Sequence, residues 1–251
     1  MFNMYHMSKF VILILLITFS WGCNKEKPTK KETAEQAKQN SDEEWVSLFD
    51  GNTFEGWHTY LKDTISDQWQ IKDGAMYFSP DPEKDPGLNN LVTDKKYGSF
   101  VLSMEYKISV DGNSGVFYGV FEDEKFVVPY MTAPEIQIKD YTNDPDFNNM
   151  KQMSGAIFGI AGPDKEYTNK AGEWNHFLIT IDYNKNLGQV ALNGKEIVSY
   201  PLRGKIWDAL VNDSKFKDWE GFGIYKEGHI GLQDHGHDVW FRNIKIKELN
   251  E

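Results

Sequence analysis

Cysteine is almost missing from this chain: Cys23 is the only one in 251 residues. A disulfide framework is therefore excluded, and so is a thiol nucleophile anywhere after residue 23. Clusters of Lys and Arg are missing from residues 45–251 too, and the balance of 27 basic against 38 acidic residues in the chain leaves a formal charge of -11. Phosphate backbones are held by concentrated positive charge, so a nucleic-acid partner is excluded. No apolar run approaches the roughly 20 residues that a membrane-spanning helix needs. The longest, Phe10 to Phe19, is about half that length. No segment sustains a long helical period, and no strand carries several acids in alternation.

At the N-terminus, Lys9 precedes that apolar run, and Ser20-Trp21-Gly22-Cys23 follows it. This order predicts a signal peptide over residues 1–22. A Cys placed directly after a small residue resembles a lipobox, with Cys23 as the lipidation site, although Ser20 stands where Leu is usual. The expectation is a cell-envelope protein held to the membrane through Cys23, facing the periplasm or the outer-membrane surface. Residues 23–44 are Lys, Glu, Gln, Thr and Asn with almost no apolar content, which predicts a solvated tether.

From Trp45 to the end the composition changes. Aromatic residues make up 14% of the chain, including 8 Trp and 12 Tyr, more than packing alone usually requires, so some are expected to line a binding surface. Short runs alternate apolar and polar residues, which predicts strands at 69–72, 75–79, 100–109, 114–121, 135–139, 156–160, 176–183, 189–192, 195–200, 229–233 and 239–248. Lys72-Asp73-Gly74, Asp111-Gly112-Asn113, Asn186-Leu187-Gly188 and Asn193-Gly194 supply residues that tolerate positive φ where such strands must reverse. Eleven strands in residues 45–251 imply one all-β domain, a sandwich of two antiparallel sheets. Ile206, Trp207, Leu210 and Val211 have helical spacing and predict a short helical insertion near 205–217.

Two segments offer chemistry. In Glu135-Ile136-Gln137-Ile138-Lys139 the isoleucines alternate with Glu135, Gln137 and Lys139, so one face is greasy and the other polar. Glu135 and Asp140 fall on opposite faces, which is unsuited to two-carboxylate glycoside hydrolysis. In the stretch from Gly228 to Asp238, Ile230 and Leu232 would bury, leaving Gly231, Gln233 and His235 on the other side. A bare Gly231 invites close approach of a ligand or another backbone. His235 suits a general base or a metal ligand, because its ordinary pKa lies near working pH.

Leu48-Phe49-Asp50-Gly51 with Gly56-Trp57, Gly112-Asn113-Ser114-Gly115-Val116, Pro134-Glu135-Ile136-Gln137, Ala171-Gly172-Glu173-Trp174-Asn175, Leu192-Asn193-Gly194 and Gly228 to Gly236, then Trp240-Phe241-Arg242-Asn243-Ile244, stand in one order along the chain. That order resembles the successive motifs of the 3-keto-disaccharide hydrolase family. The resemblance implies a concanavalin A-like jelly roll, a carbohydrate substrate oxidised at C3, and an upstream sugar 3-dehydrogenase as pathway partner. It implies a base near C2, a proton donor for the leaving group and support for an oxyanion. His235, Glu135 and Gln137 are the catalytic candidates, and a divalent metal held by Glu135 and His235 is the cofactor candidate. Gln233, Asp234, Lys139, Asn113, Ser114, Tyr118, Trp174, Trp240 and Arg242 are the substrate-binding candidates, with Tyr118, Trp174 and Trp240 expected to stack on a sugar ring. One departure stands out: Gly119 occupies a position where the family often carries Arg or His. A glycan-binding module and a conventional glycoside hydrolase remain the alternative readings.

Overall fold

The computed structural model describes residues 45–249 apart from Asp85 and Pro145, so the expected signal peptide, Cys23 and the tether lie outside the described residues. Thirteen strands form: β1 Val46–Ser47, β2 Trp57–Thr59, β3 Trp69–Lys72, β4 Ala75–Phe78, β5 Leu91–Thr93, β6 Phe100–Ile108, β7 Asn113–Val120, β8 Glu135–Lys139, β9 Asn175–Asp182, β10 Leu187–Leu192, β11 Lys195–Tyr200, β12 His229–Leu232 and β13 Val239–Glu248. They make two antiparallel sheets. The larger runs β11-β10-β9-β6-β13-β4-β3, with β1 also paired to β13, and the smaller runs β2-β5-β12-β7-β8. The fold is the expected all-β jelly-roll sandwich.

The reversals are made by the residues that tolerate them. Asp73 and Gly74, and Asn193 and Gly194, take positive φ in consecutive pairs, the geometry that matches the twist of a tight hairpin. Alternation then divides each strand between core and exterior. Met104, Tyr106 and Ile108 of β6, Phe241 of β13, and Ile136 and Ile138 of β8 enter one continuous core between the sheets. A smaller cluster of Tyr60, Val92, Phe117, Val120 and Ala133 is buried separately. Because Val116 and Tyr118 fill the main core, Phe117 and its cluster lie on the opposite face of the smaller sheet.

Residues 156–160 are not a strand. Gly155 and Gly159 have positive φ, and only Ile157 makes isolated bridges, to Ile136 and Ala161. An apolar run is therefore accounted for by burial of a turn: Ala156 and Ile157 are fully covered. The insertion holds one helix, α1 Lys205–Asn212, shorter than expected. Beyond it, Phe216 and Phe222 stack with ring centres 4.0 Å apart, and aromatic packing replaces helical hydrogen bonding.

Candidate active site

Strand β8 lies at the edge of the smaller sheet and pairs with β7 so that Gly115 faces Gln137 and Phe117 faces Glu135. With Ile136 and Ile138 buried inward, Glu135 and Gln137 turn outward. Strand β12 pairs with β7 on its other side, and its continuation brings Gln233 and His235 to the same place. The result is a hollow of about 240 Å³ lined by Asn113, Glu135, Gln137, Gln233 and His235, and also by Tyr130, Ala133, Phe158, Lys215 and Phe216. Four of the polar residues singled out in sequence on β8 and the end of β12, up to 100 positions apart, thus meet, and Asn113 joins them.

Gly115 makes room for the central carboxyl. A Cβ there would come 2.5 Å from Glu135 Oε1, so Glu135 lies across β7 only because that position is bare. Desolvation raises the pKa of Glu135 to about 8, although a hydrogen bond from Gln233 and the Lys215 ammonium both pull it down. The residue retains intermediate exposure overall while its carboxyl is enclosed. Gln137 is buried, and with its amide nitrogen facing two acceptors it donates to Ser114 O at 3.1 Å and Glu135 Oε1 at 3.0 Å. Gln233 is only 4% exposed, and its Oε1 is buried without a partner. A buried acceptor left open beside a cavity calls for a donor from whatever fills it.

His235 is exposed at the mouth of the hollow. Partial desolvation lowers its pKa, His237 and Lys139 act in the same direction, and Asp234 and its own backbone oppose them. At neutral pH the imidazole is therefore neutral while Glu135 is largely protonated. Two titratable groups are thus pushed in opposite directions within one hollow.

Other expectations are corrected. Asp234 does not reach the hollow: its Oδ2 accepts from Gly87 N, Asn89 N and Asn89 Nδ2, and its Oδ1 accepts from Gly236 N, so it pins the 87–89 loop. Ser114 is buried and donates to Gln233 O at 2.8 Å, holding the second strand in place. Tyr118 belongs to the core, where its hydroxyl meets that of Tyr200 at 2.9 Å. Lys139 lies beyond the hollow, 5.1 Å from the Tyr141 ring centre and 5.3 Å from that of Phe147. The space over Gly231 is occupied by Phe117, whose atoms a Cβ would meet at 3.0 Å.

Trp174, Trp240 and Arg242 stand on the outer face of the other sheet, opposite the inward Phe241 and Tyr106. Tyr77 stacks on Trp240 at 4.7 Å, Lys107 Nζ lies 4.4 Å from the same ring, and Arg242 covers Trp174 at 3.8 Å. Each of these rings already has a neighbour against it. The aromatics at the hollow are Tyr130, from the short 3-10 helix Pro129–Met131, and Phe158 and Phe216, from irregular segments, none of which periodicity marks.

Glu135 and His235 share the hollow, yet among the described residues no three His, Cys, Asp or Glu side chains are grouped to hold a metal ion. The donor set does not fit the metal expected from sequence. Gly119 has φ +67, and a Cβ would stand 2.9 Å from Tyr225 O, so this backbone excludes any side chain there. A second constellation has no signal in the sequence pattern. His58 bridges Asp94 at 2.6 Å and Glu122 at 2.9 Å, and His229 Nδ1 meets Thr93 O at 2.6 Å, which tie together the opposite end of the smaller sheet.

Residues 44–247 match the family described as a 3-keto-alpha-glucoside-1,2-lyase-like domain. A 3-keto-disaccharide hydrolase of Bacteroides thetaiotaomicron is 34% identical over 230 residues, spanning 82% of this chain and 79% of that protein. Two solved structures from Parabacteroides distasonis, provisionally named glycosyl hydrolases, are also similar. One is 27% identical with a TM-score of 0.76, covering 84% of this chain and 97% of that one. The other is 28% identical with a TM-score of 0.60, covering 82% and 99%.

Proposed function

The chain belongs to the 3-keto-alpha-glucoside-1,2-lyase-like family, and from that premise we propose that it is a carbohydrate-active enzyme cleaving the glycosidic bond of 3-keto-glucosides by elimination and hydration. The observation that carries this is the meeting, in one hollow, of a carboxyl kept protonated and an imidazole kept neutral.

A ketone at C3 acidifies the hydrogen at C2. The His235 imidazole removes that proton, the electron pair moves into the C2–C3 bond, and an enolate forms at the C3 oxygen. Collapse of the enolate breaks the C1–O bond, and Glu135 gives its proton to the departing oxygen. Water then adds at C1 to the C1–C2 double bond, giving its proton to the Glu135 carboxylate, while the imidazolium returns a proton to C2. Both residues end as they began. Gln233 Oε1, buried and open, takes the hydrogen of a sugar hydroxyl, and Tyr130, exposed at 38%, offers a ring against the pyranose.

Conventional hydrolysis is disfavoured by the lining itself: Glu135 is its sole carboxylate, whereas that mechanism needs two flanking the scissile bond. The volume sits just under the lower end of about 300 Å³ for drug-sized ligands, which suits one sugar ring with the leaving group outside. The test is turnover of one glucoside offered with and without oxidation at C3. Cleavage of the 3-keto form alone, lost in His235→Ala with binding retained, is the expected result. Cleavage of the unoxidised form alone overturns the proposal, and sugar binding without turnover of either supports a glycan-binding module.

The envelope location and the anchor at Cys23 are part of the same proposal, supported by the apolar run and the small residue before the cysteine. Replacing Cys23 by Ser should release the protein from the membrane fraction.

A further inference from the structure

The inserted segment after β11 has no part in the acid–base pair, yet it closes one wall of the hollow with Lys215 and Phe216. We propose that Lys215 is a further catalytic residue, its ammonium receiving the negative charge that develops on the C3 oxygen of the substrate. This rests on the 3-keto reading above and assigns the group that the enolate requires.

The enolate step places a full charge on one oxygen, and a preorganised donor aimed at that oxygen is commonly the largest single contribution to such a reaction. Two of the neutral donors nearby are committed, while the Asn113 amide and the Tyr130 hydroxyl carry no charge to set against an enolate. The Gln137 amide nitrogen serves Ser114 O and Glu135, and the Gln233 amide serves Glu135, leaving its oxygen as an acceptor. Of the lining groups that remain, Lys215 alone carries positive charge. Among the described residues it enters none of the ion pairs within 4.0 Å. Its Nζ lies instead 4.4 Å from the ring centre of Phe158 and 5.0 Å from that of Phe216, held along an aromatic wall and not neutralised.

The backbone that presents it is fixed from both sides. Ser214 Oγ donates to Val211 O at 2.7 Å and accepts from Phe216 N at 3.1 Å, so the residues on either side of Lys215 share one side-chain clamp. Phe216 is buried, stacked on Phe222 and met edge-on by Trp219 at 5.0 Å. The segment is in turn fastened to the smaller sheet's loop, since Gly223 N donates to Thr132 O at 2.8 Å and Lys125 pairs with Glu220 at 2.6 Å. A charged side chain on so well-anchored a turn, facing a carboxyl across a small hollow, has the placement of an oxyanion donor.

The experiment measures kcat and KM of the wild type, Lys215→Met, Lys215→Arg and Glu135→Gln on two 3-keto-glucosides, one with a nitrophenyl leaving group and one with an alkyl alcohol. Lys215 is exposed, so both of its variants should fold, and thermal midpoints confirm it. The expected result is a loss in kcat of about 10²-fold or more for Lys215→Met on both substrates, with little change in KM and partial recovery in Lys215→Arg. Glu135→Gln should instead lose far less on the nitrophenyl compound, whose departure needs little protonation. Wild type active and Lys215→Met within about threefold of it on both overturns this inference and leaves the 3-keto reading standing. A wild type inactive on both overturns the two together.

Discussion

The two outer faces of this sandwich contrast. On the eight-stranded sheet, Tyr77, Trp240, Lys107, Trp174 and Arg242 form a run of rings and cations in which each ring is covered by a neighbour, and Glu105 closes it on Arg242 at 2.7 Å. On the five-stranded sheet, the hollow holds a desolvated carboxyl, a neutral imidazole, an acceptor without a partner and an ammonium outside every ion pair within 4.0 Å among the described residues. The first face is richer in the residue types associated with sugar binding, but its interactions are internally satisfied. The second has as many aromatics, Tyr130, Phe158 and Phe216, but no Trp, and it has several unmet polar demands. Chemistry belongs where groups are held in states they would not adopt in water, and composition alone does not distinguish the two.

The contrast can be broken most severely by catalytic substitution. His235→Ala and Glu135→Gln should each lower kcat/KM on a 3-keto-glucoside with an alkyl leaving group by about 10²- to 10⁴-fold, while Trp240→Ala changes it less than about threefold. Equal losses on both faces would erase the distinction.

Next in size is Gly115→Ala. The added methyl would collide with Glu135 Oε1, and a displacement of about 1 Å in a catalytic group costs on the order of 10²-fold, so kcat should fall with the fold intact by circular dichroism.

The pH profile sharpens the comparison. Glu135 must be protonated and its pKa is raised to about 8, so activity should decline as pH rises past that value. His235 must be neutral and its pKa is lowered, so the acidic limb should lie below the ordinary imidazole value near 6.5. Glu135→Gln should remove the alkaline limb from the residual rate.

The opposite behaviour is expected of stability. Trp240→Ala should cost about 1–2 kcal/mol in chemical denaturation through its lost stack and cation contact, with activity kept. At His58 burial opposes the charged ring, but the hydrogen bonds to Glu122 and Asp94 outweigh it and raise the pKa. A raised folded value means that the contribution is fully present below about pH 6.5 and is lost as pH rises through the folded pKa. His58→Gln should therefore destabilise by at most about 1 kcal/mol at pH 6 and by less at pH 9.

Much of this was legible in residues 135–139 and 229–235. Alternation placed Ile136 and Ile138 inside and Glu135 and Gln137 outside, and the same period placed Gln233 opposite Leu232. Period two assigns a side of a strand, however, without saying which sheet the strand joins. That is why Trp174, Trp240 and Arg242 were grouped with a site on the other face. The role of Asp234 is not legible in sequence because its backbone partners, Gly87 and Asn89, are remote along the chain. Strands β1, β2 and β5 have two or three residues, too few to show alternation. Lys215 and Phe158 come from irregular segments and Tyr130 from a single 3-10 turn, all ordered by tertiary packing, and no local pattern points to them.

The central claim is that C2 loses its proton on the way to cleavage of the C1–O bond. Turnover of a 3-keto-glucoside in D₂O, with the released sugar read by proton NMR, tests it most directly. Deuterium at C2 of the product, absent from incubations with His235→Ala, is the predicted result. Product released at the wild-type rate with its original C2 hydrogen in place would contradict the account.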